Sequence, residues 1–241
     1  MELKSLCAED FIEGQVFLFD KPLGWTSFDV VNRLKTILKY RCGLKKIKIG
    51  HAGTLDPLAT GLLIICFGKQ TKSIEKFQAF EKEYSGEFFL GATTPSFDLE
   101  TEVDKKFPAD HISPEIVQKA ANNFLGESNQ MPPAFSAKKI AGQRAYDIAR
   151  RGEDPKVKTR QIFIYKFDVV KLELPLLYFN IVCSKGTYIR AIARDLGEKI
   201  HSGAYLKSLR RERIGEFHVK DAMSLEYFEK QILQNTNFSS S

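Results

Sequence analysis

The chain has 241 residues, 43% of them hydrophobic and 27% charged, with a formal net charge of +6. That is ordinary for a globular protein and enough for a substantial core in one large domain or two small ones. No apolar run reaches membrane-spanning length and the N-terminus lacks a basic–apolar–cleavage pattern, so a soluble cytoplasmic protein is expected.

Gln15 to Asp20 reads as a short buried strand. Thr26 to Asp29 has the form of a capping box, and Val30, Leu34, Ile37 and Leu38 follow helical spacing, which predicts a helix from about Ser27 to Lys39. Lys45, Lys46 and Lys48 then precede a loop, Gly50 to Gly61, that holds three glycines, one carboxylate and one proline. Glycine permits backbone conformations closed to other residues, and Pro57 stiffens the chain after Asp56. The apolar stretch Leu62–Phe67 reads as a buried strand. A lone aspartate in a rigid loop at a strand edge can present one catalytic carboxylate; an Asp-Pro pair taken alone is a turn.

Tyr84 to Leu90 reads as a strand. Ser113 and Pro114 open a helix with Ile116, Val117, Ala120 and Phe124 on one face and Gly126 as its stop. Leu125 to Gly152 is irregular, basic and rich in small residues, the composition of an exposed arm. Gln161–Leu174 and Leu177–Cys183 read as strands. Thr187 to Ser202 is the clearest helix, with Ile189, Ile192, Ala193, Leu196 and Ile200 on one face. Ser224 to Leu233 predicts a last helix, and 235–241 a frayed tail. Without repeats or a low-complexity linker, one domain over residues 1–234 is expected. Mixed strands and helices in this order imply an α/β or α+β domain on a mixed sheet.

The four cysteines, Cys7, Cys42, Cys66 and Cys183, show no paired or zinc-binding spacing, and the four histidines are scattered. Buried free thiols, a reducing cytoplasm and no metal site are expected. Gly61 to Thr71 lacks the spacing and the Ser/Thr of a phosphate-binding loop. Basic residues gather beside the aspartate loop, around Lys138, Lys139, Arg144, Arg150 and Arg151, and at Lys207, Arg210, Arg211 and Arg213. A solvated face explains any one cluster; three favour a phosphate-binding surface.

Several motifs together resemble one family. They are Lys21-Pro22-Leu23-Gly24-Trp25-Thr26-Ser27; the loop from Gly50 to Gly61; Lys82-Glu83-Tyr84 with Leu90-Gly91; Pro132-Pro133 with Ser136-Ala137-Lys138, Gly142, Tyr146 and Ala149-Arg150-Arg151-Gly152; Cys183 to Arg190; and Leu209-Arg210-Arg211 with Gly215 and Phe217. In this order and density they resemble the tRNA pseudouridine synthases of the TruB family, from Val16 to Phe217. The resemblance implies the pseudouridine synthase fold, a long mixed, largely antiparallel sheet flanked by helices, with an inserted RNA-binding arm at about 125–152. It implies isomerisation of uridine 55 in the tRNA T-loop to pseudouridine, a reaction with no redox change and no energy donor, hence no cofactor.

By the same resemblance Asp56 is the catalytic carboxylate, Arg190 its cationic partner and Tyr84 the ring that stacks on the flipped uracil. His51 fills the space left in the RNA, and Lys21, Tyr188 and Leu209 line the pocket. Lys138, Arg150, Arg151, Arg210 and Arg211 are expected to meet phosphates. The partner is the T-arm of tRNA, with no membrane and no obligate protein partner, and the protein is expected to be a monomer. Tyr205 stands where the family usually has histidine. Too few residues follow Phe217 for the C-terminal RNA-binding (PUA) domain of longer members. A non-catalytic tRNA binder or folding chaperone on the same scaffold is the alternative reading; intact Asp56, Tyr84 and Arg190 argue against it.

Overall fold

The apolar run after the aspartate loop forms most of a nine-residue strand, Ala59–Phe67, that is buried along nearly its whole length. The structure is a computed structural model that describes residues 6–134, 139–140, 143–144, 151 and 158–235. In chain order the elements are helix α1 (Ala8–Glu13), β1 (Val16–Lys21), α2 (Ser27–Arg41), β2 (Ile49–His51), β3 (Ala59–Phe67) and α3 (Ile74–Ala79). There follow β4 (Lys82–Leu90), β5 (Ala92–Thr93), β6 (Lys105–Lys106), α4 (Pro114–Asn122), β7 (Gly126–Gln130), β8 (Lys139–Ile140) and β9 (Gln143–Arg144). The last are β10 (Arg160–Glu173), β11 (Leu176–Cys183), α5 (Ile189–Lys199), β12 (Ala204–Ile214), β13 (Phe217–His218) and α6 (Leu225–Leu233). The chain forms two compact units: Met1–Lys82 with Arg210–Ser241, and Glu83–Leu209.

In the first unit β3 pairs antiparallel with β1, Val16 opposite Cys66 and Lys21 opposite Gly61, and with β2, His51 opposite Ile65. One face of β3, with Leu63, Ile65 and Phe67, and the other, with Leu62, Ile64 and Cys66, each pack into a hydrophobic cluster, which is why its sequence is continuously apolar instead of alternating. Helix α2 starts as its capping box dictates: the Asp29 amide donates to Thr26 Oγ1 at 3.0 Å, and the Thr26 amide donates to the Asp29 carboxylate at 2.8 Å. It runs past the expected Lys39 to Arg41 and ends on Gly43, whose φ is 68°. The Leu44 amide reaches back to the Leu38 carbonyl at 3.2 Å, so the chain folds over the helix end around a left-handed glycine.

The core of this unit is aromatic. Phe228 of α6 has its ring centroid 5.5 Å from Phe19 and 6.1 Å from Phe17, and Phe11 lies 5.5 Å from Phe67. Rings at these separations gain from edge and offset contacts beyond their burial. Asn235, expected to begin a frayed tail, is buried, and its side-chain amide donates to the Leu6 carbonyl at 2.7 Å.

In the second unit the strand order is β12-β4-β11-β10-β7. Both β7 and β11 pair antiparallel with β10. Phe88 and Phe179 stack in its core with centroids 4.1 Å apart. Ser113 caps α4, with Pro114 at the first position, as its sequence predicts. The helix stops at Asn122, and Gly126 begins β7 inside the segment read as irregular. Of the expected arm, 135–138, 141–142, 145–150 and 152–157 lie outside the described residues, as do 236–241 of the tail.

Strand β12 has no counterpart in the sequence reading. Its first residues belong to the second unit and Arg210–Ile214 to the first. Among the described residues no helix is long and apolar enough to cross a membrane.

Candidate active site

Asp56 sits half-buried in the loop between β2 and β3, and both sides of it are tied down. Ahead of it, the Leu55 amide donates to Ser27 Oγ at 2.8 Å, and that hydroxyl lies 3.3 Å from the Leu55 carbonyl. Behind it, the Pro57 carbonyl accepts from the Gly24 amide at 2.8 Å, and the Asp56 carbonyl from the Ala59 amide at 3.0 Å. The Lys21–Ser27 segment therefore clamps the aspartate loop. Gly53 and Gly61 close it with φ of 107° and 103°, values that L side chains rarely adopt.

Lys21 is fully buried. Its Nζ donates to the carbonyls of Trp25 at 2.5 Å, Pro22 at 3.0 Å and Pro57 at 3.4 Å. Burial pushes its pKa from 10.5 down to about 8, against the attraction of Asp56. Between those two values the unfolded chain holds more protons at this site, so stability rises with pH. The contribution is complete above 10.5 and is lost as pH falls through about 8. Urea denaturation at pH 7.5 and 9.5 should show a smaller rise for Lys21→Met than for the parent; an equal rise would refute the shift.

Arg211 corrects an expectation. It was to meet phosphate, yet only 1% of it is exposed. Its Nε donates to the Leu62 carbonyl at 2.7 Å and one terminal nitrogen to the Gly53 carbonyl at 3.1 Å. A guanidinium so enclosed cannot reach an RNA backbone; it braces the aspartate loop against β3. Its own backbone is so close that a Cβ at Gly61 would lie 2.4 Å from the Arg211 carbonyl oxygen. Arg211→Met should lower stability by about 2–4 kcal/mol, since two buried carbonyls lose a charged donor. A urea midpoint unchanged from the parent would disprove the brace.

His51 ends β2, half-buried. Burial, and then the charge of Arg211, hold its imidazole below the usual 6.5, so the ring is mostly neutral at pH 7. Arg210 is half-exposed and grips Asp20 with both terminal nitrogens, at 2.6 and 3.1 Å. Its charge is thus already balanced. These residues, with Asp56, belong to the first unit.

In the second unit Arg190 lies in the first turn of α5 and is buried. One terminal nitrogen lies 3.4 Å from Oδ2 of Asp98 and donates to the Ser96 carbonyl at 3.3 Å. The Asp98 carboxylate also accepts the Glu100 amide at 3.0 Å, and the Thr94 hydroxyl donates to the Asp98 carbonyl at 2.6 Å. Sequence reasoning missed Asp98; the run Thr93-Thr94-Pro95-Ser96 before it carries turn chemistry that could have pointed there. It also missed Gln130, which is buried and clamps Tyr188 in both directions. Gln130 donates to the Tyr188 carbonyl at 3.1 Å and accepts the Tyr188 amide at 2.9 Å.

Tyr84 is buried on β4, Tyr188 half-buried at the N-cap of α5, and Leu209 half-buried on β12. Tyr205 stacks on Phe89 with centroids 5.0 Å apart. Arg151 is exposed; Lys138 and Arg150 lie outside the described residues.

The family model described as "TruB family pseudouridylate synthase (N terminal domain)" matches residues 39–189. This chain belongs to the TruB family. Two curated relatives named tRNA pseudouridine synthase B are similar to this TruB-family chain over nearly their full length. That of Phocaeicola vulgatus is 53% identical, over 91% of this chain and 93% of its own. That of Flavobacterium johnsoniae is 52% identical, over 93% and 98%. Among solved structures, a chain of the H/ACA RNP bound to a substrate RNA containing 2'-deoxyuridine superposes with a TM-score of 0.67 at 23% identity. It covers 98% of the TruB-family chain, which spans 62% of that longer chain. A chain of the Cbf5-Nop10-Gar1 complex gives a TM-score of 0.67 at 24% identity, covering 95% of this chain and 63% of its own. At these identities the likeness establishes the fold, the mixed and largely antiparallel sheet with flanking helices that the resemblance implied.

Proposed function

We propose that the protein converts uridine to pseudouridine in tRNA, at position 55 of the T-loop. The observation that carries this reading is the Asp56 loop, clamped on both sides by residues of a second family motif. Relatives of about half-identical sequence that bear the name tRNA pseudouridine synthase B support it.

In the reaction the N1–C1′ bond breaks, the uracil turns, and C5 joins C1′; C5 gives up its proton and N1 gains one. Asp56 acts on the ribose as a carboxylate, either attacking C1′ or taking the proton from C2′. Both routes need it ionised in a water-poor pocket, which calls for a nearby cation. The family resemblance gives that role to Arg190, since a guanidinium stays charged and binds carboxylates in a planar fork. The target base leaves the loop at a cost of a few kcal/mol, offset by stacking. Tyr84 stacks on it, Tyr188 and Leu209 line the pocket, and the neutral His51 ring fills the gap in the RNA. Lys138, Arg150 and Arg151 meet phosphates, whereas Arg210 is held by Asp20. Lys21 serves from behind, holding the loop that presents Asp56. The protein works as a monomer in the cytoplasm, where its free thiols stay reduced.

The test is incubation with unmodified tRNA and mapping of pseudouridine at nucleotide resolution. Conversion confined to position 55 is expected. An isolated T-arm stem-loop should react nearly as well as whole tRNA. Unconverted tRNA would overturn the activity, and conversion elsewhere would overturn the site.

A further inference from the structure

The mechanism leaves unused the most basic stretch of the first unit. From Lys39 to Lys48 the chain reads Lys-Tyr-Arg-Cys-Gly-Leu-Lys-Lys-Ile-Lys, five cations and no carboxylate. Lys39, Arg41, Lys45, Lys46 and Lys48 are all exposed. Among the described residues none of the five lies within ion-pairing distance of a carboxylate. Elsewhere in the same unit Arg33, Lys69, Arg210 and Arg213 each hold one, Glu229, Glu13, Asp20 and Glu81. Tyr40, between Lys39 and Arg41, is 71% exposed, and the Lys39 ammonium lies 5.0 Å from the centre of its ring.

The helix dipole favours cations at its C-terminus, which accounts for Lys39 and Arg41. It does not account for Lys45, Lys46 and Lys48, which lie beyond the helix. The left-handed turn at Gly43 brings the chain back over the helix end, and Leu44 and Ile47 anchor it by packing on the core. The lysines are thus carried on a built turn. That turn leads through β2 directly into His51 and the Asp56 loop.

We propose that Lys39–Lys48 is a phosphate-binding surface for the tRNA backbone, with Tyr40 offering a stacking face, next to the loop that presents Asp56. Unpaired cations beside an open aromatic ring suit a polyanion with unstacked bases. The choice of tRNA as the polyanion rests on the activity proposed above.

The test compares the parent with a triple variant, Lys45→Ala, Lys46→Ala and Lys48→Ala. A control, Lys105→Ala, Lys106→Ala and Lys119→Ala, removes the same charge from exposed positions in the other unit. Binding of unmodified tRNA is measured from low to moderate salt, together with the single-turnover rate at saturating enzyme. The patch variant should lose about 2–3 from the slope of log affinity against log salt, at about 0.9 per phosphate contact. The control should lose less than about 1, and both should keep the parent's single-turnover rate. A patch variant with the parent's slope, or with no greater loss than the control, would overturn the proposal. So would a collapsed single-turnover rate at an unchanged slope, which would make the turn a support of the Asp56 loop. A parent that forms no pseudouridine yet binds tRNA with a patch-dependent slope would sink the activity and leave this surface standing.

Discussion

Asp56→Asn should reduce pseudouridine formation by at least about 10⁴-fold, the scale on which loss of a single essential nucleophile or base acts. The amide keeps the size of the side chain and removes the charge that either route at the ribose needs. The loop is held by backbone bonds to Ser27, Gly24 and Lys21, none of which involves the carboxylate, so its shape should survive. Affinity for tRNA should stay within about threefold, because phosphates and stacking dominate it. Single-turnover assays beside filter binding separate the two effects. Pseudouridine formed at near-parental rates by the purified variant would remove Asp56 from the chemistry.

The next largest effect is expected at the Arg190–Asp98 pair. Their side chains are 5% and 6% exposed. Removing one partner of a buried pair leaves the other uncompensated, at a cost of about 3–5 kcal/mol. Asp98→Ala should therefore lower the urea midpoint sharply and reduce turnover as well. Replacing the pair by apolar residues, Arg190→Met with Asp98→Leu, should recover most of the stability and none of the activity, because a buried apolar pair is often no worse than an ion pair. Arg190→Lys should also fail catalytically, since an ammonium cannot reproduce the guanidinium's planar set of donors. If activity returned along with stability in the double variant, Arg190 would be a structural residue only, and the aspartate's cation would have to be sought elsewhere.

What the sequence disclosed and what it hid differ in physical kind. Elements with local signals were legible. Thr26 and Asp29 announce the start of α2, Ser113 and Pro114 that of α4, and the unbroken apolar run after the loop announces β3. Strand β12 was hidden because its polar residues obscure the pattern: Arg211 is buried and Lys207 exposed, and both look alike in sequence. What distinguishes them is the company of the Leu62 and Gly53 carbonyls, which are remote in the chain. A buried arginine is indistinguishable from a surface arginine until its partners are known. The candidate site followed the same rule. The loop alone showed a rigid Asp-Pro turn at a strand edge, and the roles of Asp56 and Arg190 were assigned only through resemblance. Asp98 and Gln130 went unseen because each works through a partner from another element.

The discontinuity of the first unit has a consequence for how the protein is made. The chain leaves that unit at Lys82 within β4 and returns at Arg210 within β12. On the ribosome, Phe11, Phe17, Phe19 and Phe67 therefore emerge long before Phe228, the ring from α6 that packs among them. The nascent N-terminal segment has to wait with an open apolar face while the second unit, continuous in sequence, is translated and can fold. The usual order of vectorial folding, first-made first-finished, is reversed. Translation that stalls before α6 leaves this face uncovered, and such arrested chains should be the form of the protein most in need of chaperones.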